Sequence, residues 1–323
     1  MRWGVAGTGV IAGAFVATIG EMEDAVVAAV GSDDPGRAAA FASSHGIPAW
    51  VAPHAALADL DGIDAVYVAA TNDRHLGPAV ACLDAGIPVL CEKPLALSLQ
   101  QTELIVAAAR RTGTFLMEAW WTRFLPFYEE VERIVASGEL GPVRWLQADL
   151  GFPAPPVPRG RLWAPELGGG ALLDIGIYPL SLAHALLGAP DETRAVAEIT
   201  EVGVDAQVGV VSRHEGGAVS VLSASLTADT GMEATIAGPS GRIRVHAPFH
   251  HSPLVAVHRA GATLAVRDSS YEGSGYRFEV EEVHRCIEAG RTESSRRPLA
   301  DTLAVMAWMD EVRRQVGVHY PGE

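Results

Sequence analysis

The segment Trp3-Gly4-Val5-Ala6-Gly7-Thr8-Gly9-Val10-Ile11-Ala12 decides the fold. Residues 3–6 form a short apolar run of strand type, and residues 11–19 have the composition of a helix. Between them stands Gly-x-Gly-x-x-Ala. In a strand–turn–helix setting Gly7 permits the tight turn, and Gly9 lets the backbone approach a pyrophosphate at the helix N-terminus. Ala12 keeps the helix close to the sheet. Thr8, Val10 and Ile11 complete the loop that would hold a dinucleotide. The plain alternative is a tight turn with no ligand; the strand–helix–strand context favours the dinucleotide.

Outward from this turn the alternation continues. Residues 26–30, 65–69, 89–91 and 115–117 are apolar, strand-like runs, separated by helical patterns at 37–45, 75–85 and 101–111. Continuous apolar strands alternating with helices predict a parallel sheet covered on both faces. Near residue 120 the pattern changes. A helix is expected over 126–136, and residues 143–150 alternate as a half-buried antiparallel strand should. A proline loop at 152–158 follows, and Gly168-Gly169-Gly170 then opens an apolar helix running to about residue 187. Residues 193–266 are expected to be successive strands, and 277–289 and 301–316 two closing helices. The fold class is therefore an α/β Rossmann domain over residues 1–119. An α+β substrate-binding and oligomerisation domain over 120–323 follows, with a large, mostly antiparallel open sheet and a last helix free to pack back on the first.

The totals limit the function. The chain has 323 residues, 49% apolar and 20% charged, which suits two ordinary globular domains. A net charge of −15 repels a phosphate backbone and an anionic lipid surface, so neither nucleic acid nor a membrane is an expected partner. Cys82, Cys91 and Cys286 form no Cys-x-x-Cys pair, so neither a disulfide framework nor a zinc site is expected. No segment reaches the ~18 consecutive apolar residues of a bilayer span. A cytoplasmic location is expected. His246, His250 and His251 lack a helical, carboxylate-backed spacing and are expected to form a surface loop, with no metal. Arg296-Arg297 is too short for a nucleic-acid patch, and no Gly-x-Ser-x-Gly elbow supports a hydrolase.

Four segments carry candidate chemistry. The second strand ends in Ser32-Asp33-Asp34 with Arg37 beyond: an acidic side chain suits the ribose hydroxyls of NAD, an arginine the 2′-phosphate of NADP. Asp33 could equally cap the next helix, and the choice of cofactor stays open. Glu92-Lys93-Pro94 follows the fourth strand at the sheet edge where open α/β sheets bind ligands, although a loop lysine is often only a solvated charge. Asp174 and Tyr178 are four residues apart and share a helical face. A phenol with a free pKa of about 10 becomes a usable base near an ammonium. A core tyrosine beside a carboxylate is the bland reading of the same pair.

Together, Gly7-x-Gly9-x-x-Ala12, Asn72 with His75, Glu92-Lys93-Pro94 and Asp174-x-Gly-x-Tyr178 resemble the glucose–fructose oxidoreductase / inositol dehydrogenase / MocA (Gfo/Idh/MocA) family over essentially the whole chain. Residues 117–124, 168–174 and the ending Val318-His319-Tyr320-Pro321-Gly322-Glu323 resemble its dimeric dihydrodiol dehydrogenase and D-xylose dehydrogenase branch. The resemblance implies an NAD(P)-dependent dehydrogenase or reductase of a sugar, polyol or cyclic diol. Tyr178 would take the hydroxyl proton as hydride leaves for the nicotinamide, with Lys93 as its catalytic partner and Asp174 orienting substrate or assisting proton transfer. Trp121, Arg123 and Phe124 would stand near the nicotinamide and line the substrate pocket, and Asn72 and His75 beside the cofactor. His75 as a structural loop residue is the alternative. A homodimer or higher oligomer built on the C-terminal sheet is also implied. Tyr178 and Ser181 stand where the inositol branch has His and Asp, and Asp33 where NADP-using relatives carry Arg. An inositol-type dehydrogenase, or a non-catalytic dinucleotide-binding sensor of the same fold, is the rival reading.

Overall fold

The computed structural model describes residues 1–157 and 160–323. Pro158, the end of the expected proline loop, and Arg159 lie outside the described residues. The chain divides into two compact units, Met1–Trp121 with Gly273–Leu303, and Thr122–Glu272 with Ala304–Glu323. Beside the stretch that ends near the expected division at 119/120, the returning segment Gly273–Leu303 also belongs to the first unit. Within that unit it packs helix on helix against the N-terminal region.

In the first unit, strands and helices alternate as β1 (Arg2–Ala6), α1 (Val10–Gly20), β2 (Val26–Gly31), α2 (Pro35–His45), β3 (Ala49–Val51), β4 (Ala65–Val68), α3 (Leu76–Asp84), β5 (Val89–Glu92), α4 (Leu99–Thr112) and β6 (Leu116–Ala119). The sheet order is β3-β2-β1-β4-β5-β6, all pairs parallel. The order reverses between β1 and β4, and the crevice beyond the carboxyl ends of strands at such a switch point is where these sheets bind ligands. The strands are buried along their length, Val66, Val68, Val89 and Cys91 among them, because helices cover both faces. β3 has only three residues and carries the exposed Trp50, too short for a periodic signal. The segment that returns to this unit forms α7 (Tyr276–Glu288), whose neighbour is α1.

The second unit begins with α5 (Pro126–Ala136) and β7 (Trp145–Gly151), and reaches α6 (Ile177–Leu187) through a π-helical turn at Leu172–Gly176. The strands β8 (Pro190–Ile199), β9 (Asp205–His214), β10 (Val219–Ser225), β11 (Ala234–Gly238), β12 (Gly241–Val245), β13 (Leu254–Arg259) and β14 (Ala262–Asp268) follow. With β7 they form an eight-stranded sheet in the order β14-β13-β12-β11-β7-β10-β9-β8, antiparallel except for the pair β10–β7. Along β9 the burial alternates, Val208 and Val210 inside and Val211 outside, as one solvated face requires. The last helix, α8 (Leu299–Val316), starts in the first unit and ends in the second. The run Pro165–Leu187, though interrupted by Glu166 and Asp174, is apolar and long enough by length and composition to cross a bilayer. However, 78% of its most apolar window is buried in the fold, which makes it a core helix here.

Candidate active site

In the first unit most of the expected cofactor residues lie at or just beyond the carboxyl ends of β1, β2, β4 and β5, whereas Trp121 follows β6 and Arg123 belongs to the second unit. Gly7 adopts φ +140°, and a Cβ there would come within 2.3 Å of Ala69 O, so only glycine fits. Gly9 caps α1 without a side-chain hydrogen bond, the first turn holds no acidic residue, and a Cβ on Gly9 would meet nothing within 4 Å. The helix thus opens on unpaired N–H donors beneath free space, which suits a pyrophosphate and the partial positive charge of a helix start. Val10 is 88% exposed at this turn, and Thr8 and Ile11 are half-buried.

At the end of β2, Ser32 is buried and Asp33 faces solvent. His54 holds Asp33 twice: its Nδ1 lies 2.8 Å from Oδ1, and its backbone N–H donates to the same oxygen at 3.4 Å. Arg74 reaches the other carboxylate oxygen at 3.4 Å. Desolvation pushes the Asp33 carboxyl up, but His54 and Arg74 together hold it below its usual range. The helix cap left open for Asp33 belongs to Asp34, which accepts from the Arg37 N–H at 3.0 Å. Arg37 is two-thirds exposed and leans on Asp34 at 3.8 Å.

The lysine loop is held from three sides. The Lys93 N–H donates to Glu92 Oε2 at 3.1 Å, and the Tyr67 hydroxyl donates to Glu92 Oε1. Two residues on, Leu95 N–H donates to Glu118 Oε1 at 3.1 Å. His75, fully buried, places Nδ1 3.0 Å from Pro94 O and Nε2 3.2 Å from Ala70 O, with burial lowering its pKa. That geometry is of a clamp between the Lys93 loop and the loop after β4. Asn72 stands half-buried in the turn Asn72–Arg74 on the same loop. The Trp121 ring lies against Tyr276 of α7, centroids 5.3 Å apart.

In the second unit, Asp174 and Tyr178 are 6% and 7% exposed. The turn carrying Asp174 is π-helical rather than the plain α-helix expected, a widening common at functional sites. The Asp174 carboxylate accepts from Arg161 Nη1 at 2.6 Å. Arg123 pairs with Glu132 at 2.7 Å and lies over the Tyr128 ring, while Phe124 is buried.

The histidine segment departs from its expected role as a surface loop. Phe249 is buried, the His250 ring tilts against Tyr178 with centroids 5.1 Å apart, and the His250 carbonyl accepts from Thr122 Oγ1 at 2.7 Å. His54, Arg161 and His250 were thus missed as members of these clusters. Each is distant in sequence from the group it touches, and no motif marks it.

Residues 1–119 match the family described as an oxidoreductase family with an NAD-binding Rossmann fold, and residues 128–244 match the GFO/IDH/MocA C-terminal domain. The trans-1,2-dihydrobenzene-1,2-diol dehydrogenase of Danio rerio is 36% identical, over 99% of this chain and 98% of that protein. The Xenopus laevis enzyme of the same name is 34% identical, over 99% of each. Among solved structures, the aldose-aldose oxidoreductase from Caulobacter crescentus, complexed with glycerol, superposes with a TM-score of 0.87 at 25% identity, covering 98% of this chain and 97% of that one. Two domain matches in the expected order, and relatives aligned end to end, make this chain a member of the Gfo/Idh/MocA family of NAD(P)-binding oxidoreductases.

Proposed function

We propose that this oxidoreductase acts on a carbinol or hemiacetal carbon of an aldose such as D-xylose, or on a trans-dihydrodiol. The names of its relatives support both substrate classes. The observation that carries the reading is the buried turn of Asp174 and Tyr178, a carboxylate and a phenol on one glycine-opened helix. Tyr178 takes the proton of the substrate hydroxyl in oxidation and returns it in reduction. Lys93 contributes the ammonium that eases loss of that proton, and Asp174, steadied by Arg161, orients the substrate. Trp121, Arg123 and Phe124 line the substrate pocket. Gly7, Gly9 and the start of α1 hold the pyrophosphate, with Asn72 beside it. When bound, the nicotinamide supplies the acceptor or donor of the hydride.

The ionised Asp33, fixed by His54, favours the two ribose hydroxyls of NAD over a 2′-phosphate. A homodimer or higher oligomer would use the exposed face of the eight-stranded sheet, where Val196, Val211, Leu264 and Val266 are 77%, 49%, 55% and 56% exposed. Light scattering reads the oligomer directly, and a monomer mass would remove it.

The deciding experiment mixes the purified protein with NAD or NADP and a panel of aldoses, polyols, inositols and aromatic dihydrodiols, following reduced nicotinamide by absorbance. Turnover of an aldose or dihydrodiol is expected, faster with NAD. Tyr178→Phe should lower kcat by at least about a hundredfold. A Tyr178→Phe protein as active as its parent would overturn the assignment of the acid–base group.

A further inference from the structure

The ending of the chain and the triple glycine meet in one buried polar cluster of the second unit. Tyr320, 4% exposed, donates its hydroxyl to Gly169 O at 2.6 Å. Asp205, fully buried at the start of β9, accepts from the Leu172 N–H at 2.7 Å, the N–H that begins the π-helical turn. Gly170 lies between them at φ +113°. A Cβ on it would fall 2.3 Å from Asp205 Oδ1 and 3.3 Å from the Tyr320 hydroxyl. Its carbonyl in turn accepts from the Asp174 N–H at 3.3 Å. The peptide leading into the turn of Asp174 is thus gripped on one side by a carboxyl and on the other by a phenol.

The phenol is itself anchored. The Arg313 guanidinium lies over the Tyr320 ring, 5.0 Å from its centroid, and pairs with Glu323 at 2.6 Å and Asp310 at 2.9 Å. Glu323 also accepts from the Tyr320 N–H at 2.9 Å. A cluster of this depth costs desolvation of several polar groups. Its contacts end on the backbone of Gly169–Leu172, two residues from Asp174 and six from Tyr178.

We infer that Asp205 and Tyr320 are positioning residues for the reaction: they fix the entry to the π-helical turn so that Asp174 and Tyr178 present one orientation to substrate. This rests on the reading of Asp174 and Tyr178 as the reacting groups. The closing residues Val318–Glu323 then act at the site through the triple glycine rather than as an ornament of the fold. Burial raises the Asp205 carboxyl to about 7, against the pull of the Leu172 and Ala171 N–H groups, its own backbone N–H and the Arg313 charge. The Tyr320 hydroxyl, pushed up by burial and by Asp205, faces it from the other side and stays neutral. The charge on Asp205 therefore changes near neutral pH, beside the peptide it holds.

The test compares Tyr320→Phe, which keeps the ring under Arg313 and removes only the hydroxyl, with Asp205→Asn and Tyr178→Phe. Readouts are kcat and KM for the substrate, the Kd of NADH by fluorescence titration, and the pH profile of kcat, all well below the melting temperature. The expected result for Tyr320→Phe is a kcat lower by about ten- to a hundredfold with the Kd of NADH unchanged. In Asp205→Asn an inflection of kcat near pH 7 should disappear. Tyr320→Phe and Asp205→Asn proteins that melt earlier but keep the parent kcat and pH profile would overturn the inference. Should Tyr178→Phe also keep full turnover, the reading of the site has failed; should Tyr178→Phe alone be inactive, only the positioning role has.

Discussion

Glu118 and Glu279 are carboxylates of the same unit, 1% and 0% exposed, and their surroundings could hardly differ more. Glu118, at the end of β6, accepts from Leu95 N–H at 3.1 Å, Arg297 Nε at 3.2 Å, the Arg297 Nη2 and the Thr302 hydroxyl at 2.9 Å. Arg297 in turn lies over the Trp120 ring. Neither oxygen of Glu279, on α7, has a hydrogen-bond partner among the described residues. Burial and the nearby charge of Glu92 push its carboxyl well above the usual range, so it is held neutral. Equal burial has produced one ion pair and one uncharged acid. The number of donors aimed at each carboxyl decides the outcome, and depth alone does not.

The sharpest way to break this comparison is to take the donors from Glu118. Arg297→Met keeps most of the volume and leaves a buried charge uncompensated, which should cost about 3–5 kcal/mol in urea unfolding. Adding Glu118→Gln keeps an acceptor for Leu95 N–H without the charge, and should recover most of that loss. A single variant costing under about 1 kcal/mol would mean that Glu118 is not carried as an ion. If Lys93 has the role proposed for it, the loss should also be felt in catalysis, because the Leu95 bond sits two residues beyond it.

These clusters mark the limit of what the sequence made legible. The β1–α1 turn was readable because its requirements are local: Gly7 must take a positive φ and Gly9 must leave space, and the spacing of the two records both. The alternation of strands and helices and the four-residue spacing of Asp174 and Tyr178 were readable for the same reason, through periodicity and short motifs. The π-helical widening was hidden, since nothing in the spacing of Asp174 and Tyr178 separates a π turn from an α turn. Arg297 was read only as half of a short basic pair, although it is buried against Glu118, 179 residues away. His54 on Asp33 and His250 against Tyr178 are contacts of the same long-range kind. Long-range pairing of single polar residues leaves no period and no motif, so it becomes visible only once the strands have been placed.

Glu279 offers the gentler test, and its sign is set by the direction of its pKa. The group binds its proton more tightly folded than unfolded, so folding takes up a proton once the pH exceeds the unfolded carboxyl value of about 4.3. Its contribution to stability is complete below that value and is lost as pH rises through the folded pKa. Glu279→Met removes both the titration and the two unpaired oxygens while keeping a flexible, apolar side chain of similar length. The variant should exceed its parent by about 1–3 kcal/mol at pH 8, the ordinary cost of an unsatisfied buried polar group. The gap should narrow as the pH is lowered toward 5, where the parent acid is neutral in both states for more of the population. Denaturant unfolding at pH 5, 6.5 and 8 reads the slope directly. If the gap instead widens toward acid pH, Glu279 is ionised in the folded protein and has found a donor. The contrast with Glu118 would then be one of partner identity, with no difference in charge.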